Sequence, residues 1–122
     1  MNELDGASVL ITGGTGSFGS TMARRLLECD VGQVRIFSRD EAKQDDLRRS
    51  LNDNRALFYI GDVRDCRSIK DAIGGVDYVF HAAALKQVPS CEFFPTQAVA
   101  TNVMGSSNVI EAGAAAHVKS IV

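Results

Sequence analysis

The stretch "SVLITGGTGSFG", Ser8 to Gly19, decides the fold. Its first five residues form a short run rich in β-formers that stops at glycines, which predicts a buried strand. From Ser17 the period changes. Phe18, Met22 and Leu26 recur every four residues, with Ala23 and Leu27 beside them and Arg24, Arg25 and Glu28 on the other side. That is an amphipathic helix. Between strand and helix, Gly13, Gly16 and Gly19 have the spacing G-x-x-G-x-x-G. Glycine permits a tight turn, lets the backbone come close to a pyrophosphate and packs the helix against the sheet. With Thr15, Ser17 and Phe18 interleaved, the loop opens a helix whose unpaired N–H groups and positive dipole end suit phosphate. A glycine triplet alone is a weak signal; strand, loop and helix in this order are the context it requires.

The pattern repeats outward from there. "QVRIF" (33–37), "ALFYI" (56–60), "VDYVF" (76–80) and "VKSIV" (118–122) read as further strands. "DEAKQDDLRRSLND" (40–53), "CRSIKDAIG" (66–74) and the long 96–116 segment read as helices. Strands alternating with helices across short loops predict one α/β domain over residues 1–122, a three-layer, doubly wound parallel sheet. Right-handed crossovers favour the strand order 3-2-1-4-5, with a crevice at the carboxyl ends of strands 1 and 4.

Composition narrows the function. The net charge is −2 and both signs are interspersed, so no nucleic-acid or membrane-surface role rests on bulk charge. No apolar run is long enough to span a bilayer. Cys29, Cys66 and Cys91 are widely separated, without metal or redox spacing. Reduced thiols, no metal site and a cytoplasmic location are expected.

Other residues converge on the crevice. The small residues Ala82, Ala83 and Ala84, just past strand 4, would let the backbone pass close to a ribose. His81 reads as a hydrogen-bonded residue at the strand end, and His117 as a helix C-terminal residue complementing the dipole. Thr101 and Asn102 are polar positions in an apolar helix face and need partners. A cofactor ribose or the helix's own backbone could supply them. At the end of strand 2, where a carboxylate would bind a ribose 2′-hydroxyl, Ser38 is followed by Arg39. A hydroxyl and a guanidinium suit a 2′-phosphate. Asp40 is the competing carboxylate, read instead as a cap or first-turn residue of the second helix. NADP is therefore expected, with Ser38 and Arg39 on the phosphate and Lys43 assisting; NAD is the alternative.

"ITGGTGSFG", "GDVRD" (61–65), "HAAALKQV" (81–88) and "ATNVMGSSNVIEA" (100–112) together resemble the extended, nucleotide-sugar-modifying branch of the short-chain dehydrogenases/reductases, a Rossmann-type family. The resemblance implies that Asp62 accepts from the adenine amine and that the Val63 N–H donates to the ring. A turn or cap role for Asp62 is the alternative. It also implies that Lys86 lies near cofactor and sugar nucleotide, a solvated surface lysine being the alternative. "FSRDEAKQDD" with "HAAALKQVPSCEFFP" is most similar to bacterial UDP-N-acetylglucosamine 4,6-dehydratases of the 5-inverting kind, which serve surface polysaccharide synthesis. That chemistry is oxidation at sugar C4 by NADP, loss of water across C5–C6, hydride return at C6 and reprotonation of C5 on the other face. A UDP-sugar 4-epimerase, a 5-retaining dehydratase and a non-catalytic NADP-binding module are the other readings. The family's Ser/Thr-Asp-Lys stretch and Tyr-x-x-x-Lys pair do not occur in these 122 residues. The chain is therefore expected to bind cofactor and to be inactive alone, with no catalytic residue assigned. UDP-N-acetylglucosamine or a related UDP-sugar would be the full enzyme's substrate. Self-association through the apolar last strand or the small-residue helix beside it is expected.

Overall fold

Val9, Leu10 and Ile11 are all completely buried. Successive side chains of a strand point to opposite faces, so this strand is covered on both sides. The computed structural model describes residues 4–13, 15–82 and 108–121. Its elements are β1 (Ser8–Thr12), α1 (Ser17–Leu27), β2 (Gln33–Ser38), α2 (Glu41–Leu51), β3 (Ala56–Ile60), α3 (Cys66–Ile73), β4 (Tyr78–His81), a helical stretch over 108–115, and β5 (Ser120–Ile121). The sheet is parallel in the order β3-β2-β1-β4-β5, as the alternation predicts.

The two faces bury different residues. Val9, Ile11, Val34 and Ile36 pack with Ala23 and Leu26 of α1 and Leu47 of α2. Leu10, Phe37 and Val79 pack with Ile69, Ala72 and Ile73 of α3 and with Val109 and Ala112 of the 108–115 helix. Each burial of a large aliphatic side chain stabilises by about 1.5–3 kcal/mol before entropy is counted. The register, Ile11 beside Ile36 and Phe80, fixes which residues meet each helix layer.

Two arginines close helix ends. Arg35 donates through Nη1 to the carbonyls of Ala72 and Gly74 at the end of α3. Arg55 donates to Leu27, Cys29 and Val31 carbonyls beyond α1, and pairs with Asp53. Cations there complement the negative end of the helix dipole.

The termini of elements depart from the expected bounds. The fourth strand starts at Tyr78 rather than Val76, because the Val76 N–H bonds back to Ile73 in the turn after α3. The last strand is shorter than 118–122. His117 takes a left-handed conformation (φ 59°), and the N–H groups of His117 and Val118 return to Ala114 and Gly113. This is a Schellman closure, with histidine in the place glycine usually takes. A Cβ on Gly113 beneath it would lie 2.6 Å from Ile121 Cδ1 and 3.0 Å from Val118 Cγ2, so those side chains would have to shift. The expected helix over 96–116 is described only from 108, and Val122 lies outside the described residues.

Candidate functional site

The carboxyl ends of all the strands lie along one edge of the sheet, and the loops there carry most of the residues singled out above. At the switch between β1 and β4, Thr12 and His81 are register partners. Thr12 Oγ1 lies 2.6 Å from His81 Nδ1, and Thr12 is fully buried. Burial pushes the His81 pKa down and favours the neutral imidazole, which shares a hydrogen bond with the Thr12 hydroxyl whose direction the ring tautomer sets. His81 is thus the hydrogen-bonded strand-end residue that the sequence predicts.

Past Thr12 the chain turns sharply. Gly13 has φ +70°, a region side chains disfavour, and its N–H donates to the Phe37 carbonyl at the end of β2. The Gly16 N–H donates to the Gly13 carbonyl and closes the turn. Gly16 is then the N-cap of α1. It has no side chain to accept from the first-turn N–H groups, and that turn holds no acidic residue. Ser17 and Phe18 are exposed there, and Gly19 is buried. The result is a helix N-terminus with its donors and dipole facing out of the switch point, the arrangement that binds phosphate.

At the end of β2, Ser38 is buried rather than open. Its hydroxyl accepts from Gln44 Nε2 at 2.9 Å, and the same nitrogen donates to the Tyr59 carbonyl at 2.8 Å. The carbonyl fixes which Gln44 atom is the nitrogen, so the Ser38 proton is left to donate elsewhere. Gln44 escaped the sequence reading. The signal was present, since it lies at i−3 from Leu47 on the buried face of α2. Asp40 is the N-cap of α2 and accepts from the Lys43 N–H at 3.0 Å. The carboxylate that competed for the ribose is therefore occupied as a cap. Lys43 and Thr15 line one open groove of about 340 Å³ between α1 and α2, together with Arg24 and Asp46.

The loop after β3 is tightly organised. A Cβ on Gly61 would lie 2.6 Å from the Phe37 ring, so only glycine passes there. Asp62 accepts from the Arg64 backbone and fork, and Arg39 Nη1 stands 3.7 Å from its Oδ2. The Arg64 hydrogen bonds hold the Asp62 carboxyl down to about 2, against the opposing effect of burial. Asn108 donates to the Val63 carbonyl at 3.0 Å and ties the 108–115 helix to this loop. Asn108 and Arg64 were also missed by sequence reasoning. Nothing in the linear pattern joins positions 45 residues apart, whereas Arg64 two residues after an aspartate is a local turn signal.

Ala82 is buried in the core beside β1. Ala83, Ala84, Lys86, Thr101 and Asn102 lie outside the described residues. Among the described residues no group of three or more metal-ligating side chains occurs, and no helix is long and apolar enough to cross a membrane.

The chain has known relatives. Residues 9–122 match the family described as polysaccharide biosynthesis protein. A UDP-glucose 4-epimerase of Rickettsia prowazekii (strain Madrid E) is 58% identical over 109 residues, covering 86% of this chain and 32% of that protein. The chain thus spans about a third of the length of the curated relatives it matches. Among solved structures, Pen from Bacillus thuringiensis superposes with a TM-score of 0.92 at 39% identity, over 98% of this chain and 37% of that one. DesIV from Streptomyces venezuelae, a dTDP-glucose 4,6-dehydratase solved with NAD and TYD bound, has a TM-score of 0.81 at 27% identity, over 93% and 38%. The glycine loop, the strand order and these likenesses agree, and the chain belongs to the polysaccharide biosynthesis protein family, within the nucleotide-sugar epimerase and dehydratase group of the extended short-chain dehydrogenases/reductases.

Proposed function

We propose that these residues bind NADP for an enzyme that modifies a UDP-sugar. The observation that carries the proposal is the α1 N-terminus, left without a capping side chain at the β1/β4 switch point. The N–H groups of Ser17, Phe18 and Gly19 would hold the pyrophosphate, with Gly13 and Gly16 giving the backbone its close approach. Asp62 and the Val63 N–H would take the adenine. Arg39, with Ser38 donating and Lys43 assisting, would take the 2′-phosphate. The engagement of Asp40 as the α2 cap, where it accepts from the Lys43 N–H, leaves Ser38 and Arg39 rather than a carboxylate for the ribose, which supports NADP over NAD. Ala82, Ala83, Ala84, Lys86, Thr101 and Asn102 complete the proposed surround of the ribose and sugar. DesIV carries NAD, which makes NAD the competing cofactor. Titration of the chain with each cofactor tests the choice. Tighter NADP is expected, and equal or tighter NAD overturns it.

Bound nicotinamide supplies a hydride acceptor for oxidation at the sugar C4. The proposed reaction is 4,6-dehydration of UDP-N-acetylglucosamine with inversion at C5, and the residues here contribute binding and orientation rather than acid–base chemistry. The R. prowazekii relative favours a second reading, 4-epimerisation, which shares the oxidation at C4. Mass separates the two. The whole protein incubated with UDP-N-acetylglucosamine would yield a product lighter by one water if it dehydrates. A product of unchanged mass with an inverted C4 would establish the epimerase.

A further inference from the structure

One carboxylate, Asp62, stands between two arginines that reach it from different loops. Arg64 follows it by two residues and surrounds it. The Arg64 backbone N–H donates to Oδ1 at 2.9 Å, Nε lies 3.2 and 3.1 Å from the two oxygens, and Nη2 lies 2.7 Å from Oδ2. Arg39 comes from the end of β2, and its Nη1 stops 3.7 Å from Oδ2, beyond hydrogen-bond distance. The Arg39 side chain is 54% exposed. A carboxylate accepts one guanidinium fork well, and here the fork belongs to the local arginine.

We infer that Arg64 is a positioning residue that sets cofactor choice: by holding Asp62 it leaves the Arg39 guanidinium available to an anion at the end of β2. The inference deepens the reading above, in which Arg39 meets the 2′-phosphate, and rests on it. Without Arg64, the nearest cation to Asp62 among the described residues is Arg39, already within ion-pair distance. Arg39 would then close onto the carboxylate, and the cluster would lose the excess positive charge that distinguishes a phosphate from a ribose hydroxyl. The loop backbone does not depend on Arg64. The Asp62 N–H donates to Ser68 Oγ, Ser68 Oγ donates to the Asp62 carbonyl, and Asn108 holds Val63. Removal of the Arg64 side chain therefore changes the charge arrangement while the loop stays anchored.

The experiment titrates NADP and NAD into the wild-type chain, R64A, and the double variant D62N/R64A. Asparagine keeps an oxygen for the adenine amine but cannot hold Arg39 as an ion pair. R64A is expected to lower the ratio of NADP to NAD affinity about tenfold, the size of one charge-assisted contact. D62N/R64A is expected to restore the ratio to near the wild-type value. A merely structural role would weaken both cofactors alike and would not be rescued by the second substitution. A wild type that prefers NADP together with an R64A that keeps the full preference, or a double variant that fails to regain it, overturns this inference and leaves the NADP reading standing. A wild type without preference for NADP overturns that reading and this inference with it.

Discussion

The N-termini of α1 and of α2 and α3 begin on similar backbone and end differently. All three N-caps are extended: Gly16 at φ −73°, Asp40 at φ −100° and Asp65 at φ −102°. Asp40 accepts from the Lys43 N–H and Asp65 from the Arg67 N–H, each at 3.0 Å. Gly16 accepts through no side chain. Backbone geometry would permit a cap at each position, so the difference lies in residue choice. The capped helices satisfy their own donors and are finished. α1 keeps its donors outward at the one place, beside the β1/β4 switch, where the topology opens a crevice. On the proposed reading, a helix end without a capping side chain at a switch point is left open to a phosphate.

The sharpest way to break the comparison is to finish α1 as the other helices are finished. Among the described residues, a Cβ at Gly16 would meet only the Gly13 carbonyl, at an ordinary 3.4 Å, and its φ suits any residue. G16D should therefore fold, with stability raised by a few tenths of a kcal/mol through the new cap. Its carboxylate would occupy the first-turn N–H groups and repel a pyrophosphate. Dinucleotide affinity should fall by about 100-fold or more, a difference of at least ~2.7 kcal/mol by calorimetric titration. Wild-type affinity in a folded G16D would show that the open N-terminus is not where the dinucleotide binds.

The converse change removes a cap that only stabilises. D65A leaves the Arg67 N–H without its acceptor at the start of α3. The backbone contacts of residue 65, its N–H to the Asp62 carbonyl and its carbonyl to Ser68 Oγ, survive the substitution. Stability should drop by about 1 kcal/mol, read as a lower urea midpoint at unchanged slope. A drop near zero would mean that α3 begins as freely as α1 does, and the contrast between them would dissolve.

The contrast was partly legible in the sequence. The glycine spacing, the helix after it and the role of Asp40 as a cap follow from local rules, and the structure has them where those rules put them. The strand order followed from handedness and alternation. Long-range polar contacts were not legible. Gln44 on the Ser38 hydroxyl and Asn108 on the Val63 carbonyl depend on which helix face meets which loop, and periodicity gives the face without the partner. Ser38 illustrates the cost of this. Its place at the β2 end was readable, but its burial beneath Gln44 was not. Strand ends were also blurred, because the Schellman closure at His117 uses the N–H of Val118 that an apolar run assigns to a strand.

The same opposition between uncharged and charged ends recurs below the loops, and it predicts a pH response. Under the α1 loop sits the neutral Thr12–His81 pair; at the entry to α3 sits the Asp62–Arg64 ion pair. Burial holds the folded His81 pKa below its ordinary 6.5, so between those two values the unfolded chain binds more protons. Its contribution to stability is therefore complete above about pH 6.5 and is lost as pH falls through the window below. Asp62 runs on a lower scale. Its contribution is present above the ordinary 3.8 and is lost only as pH falls toward about 2. Urea midpoints measured from pH 7.5 to 5.5 should thus fall more steeply for the wild type than for H81Q, which has no imidazole to protonate, and D62N should leave the slope over that range unchanged. Parallel wild-type and H81Q profiles would mean that His81 charges as readily in the fold as in water, and that the floor of the crevice is not the uncharged, buried surface on which the open end of α1 stands.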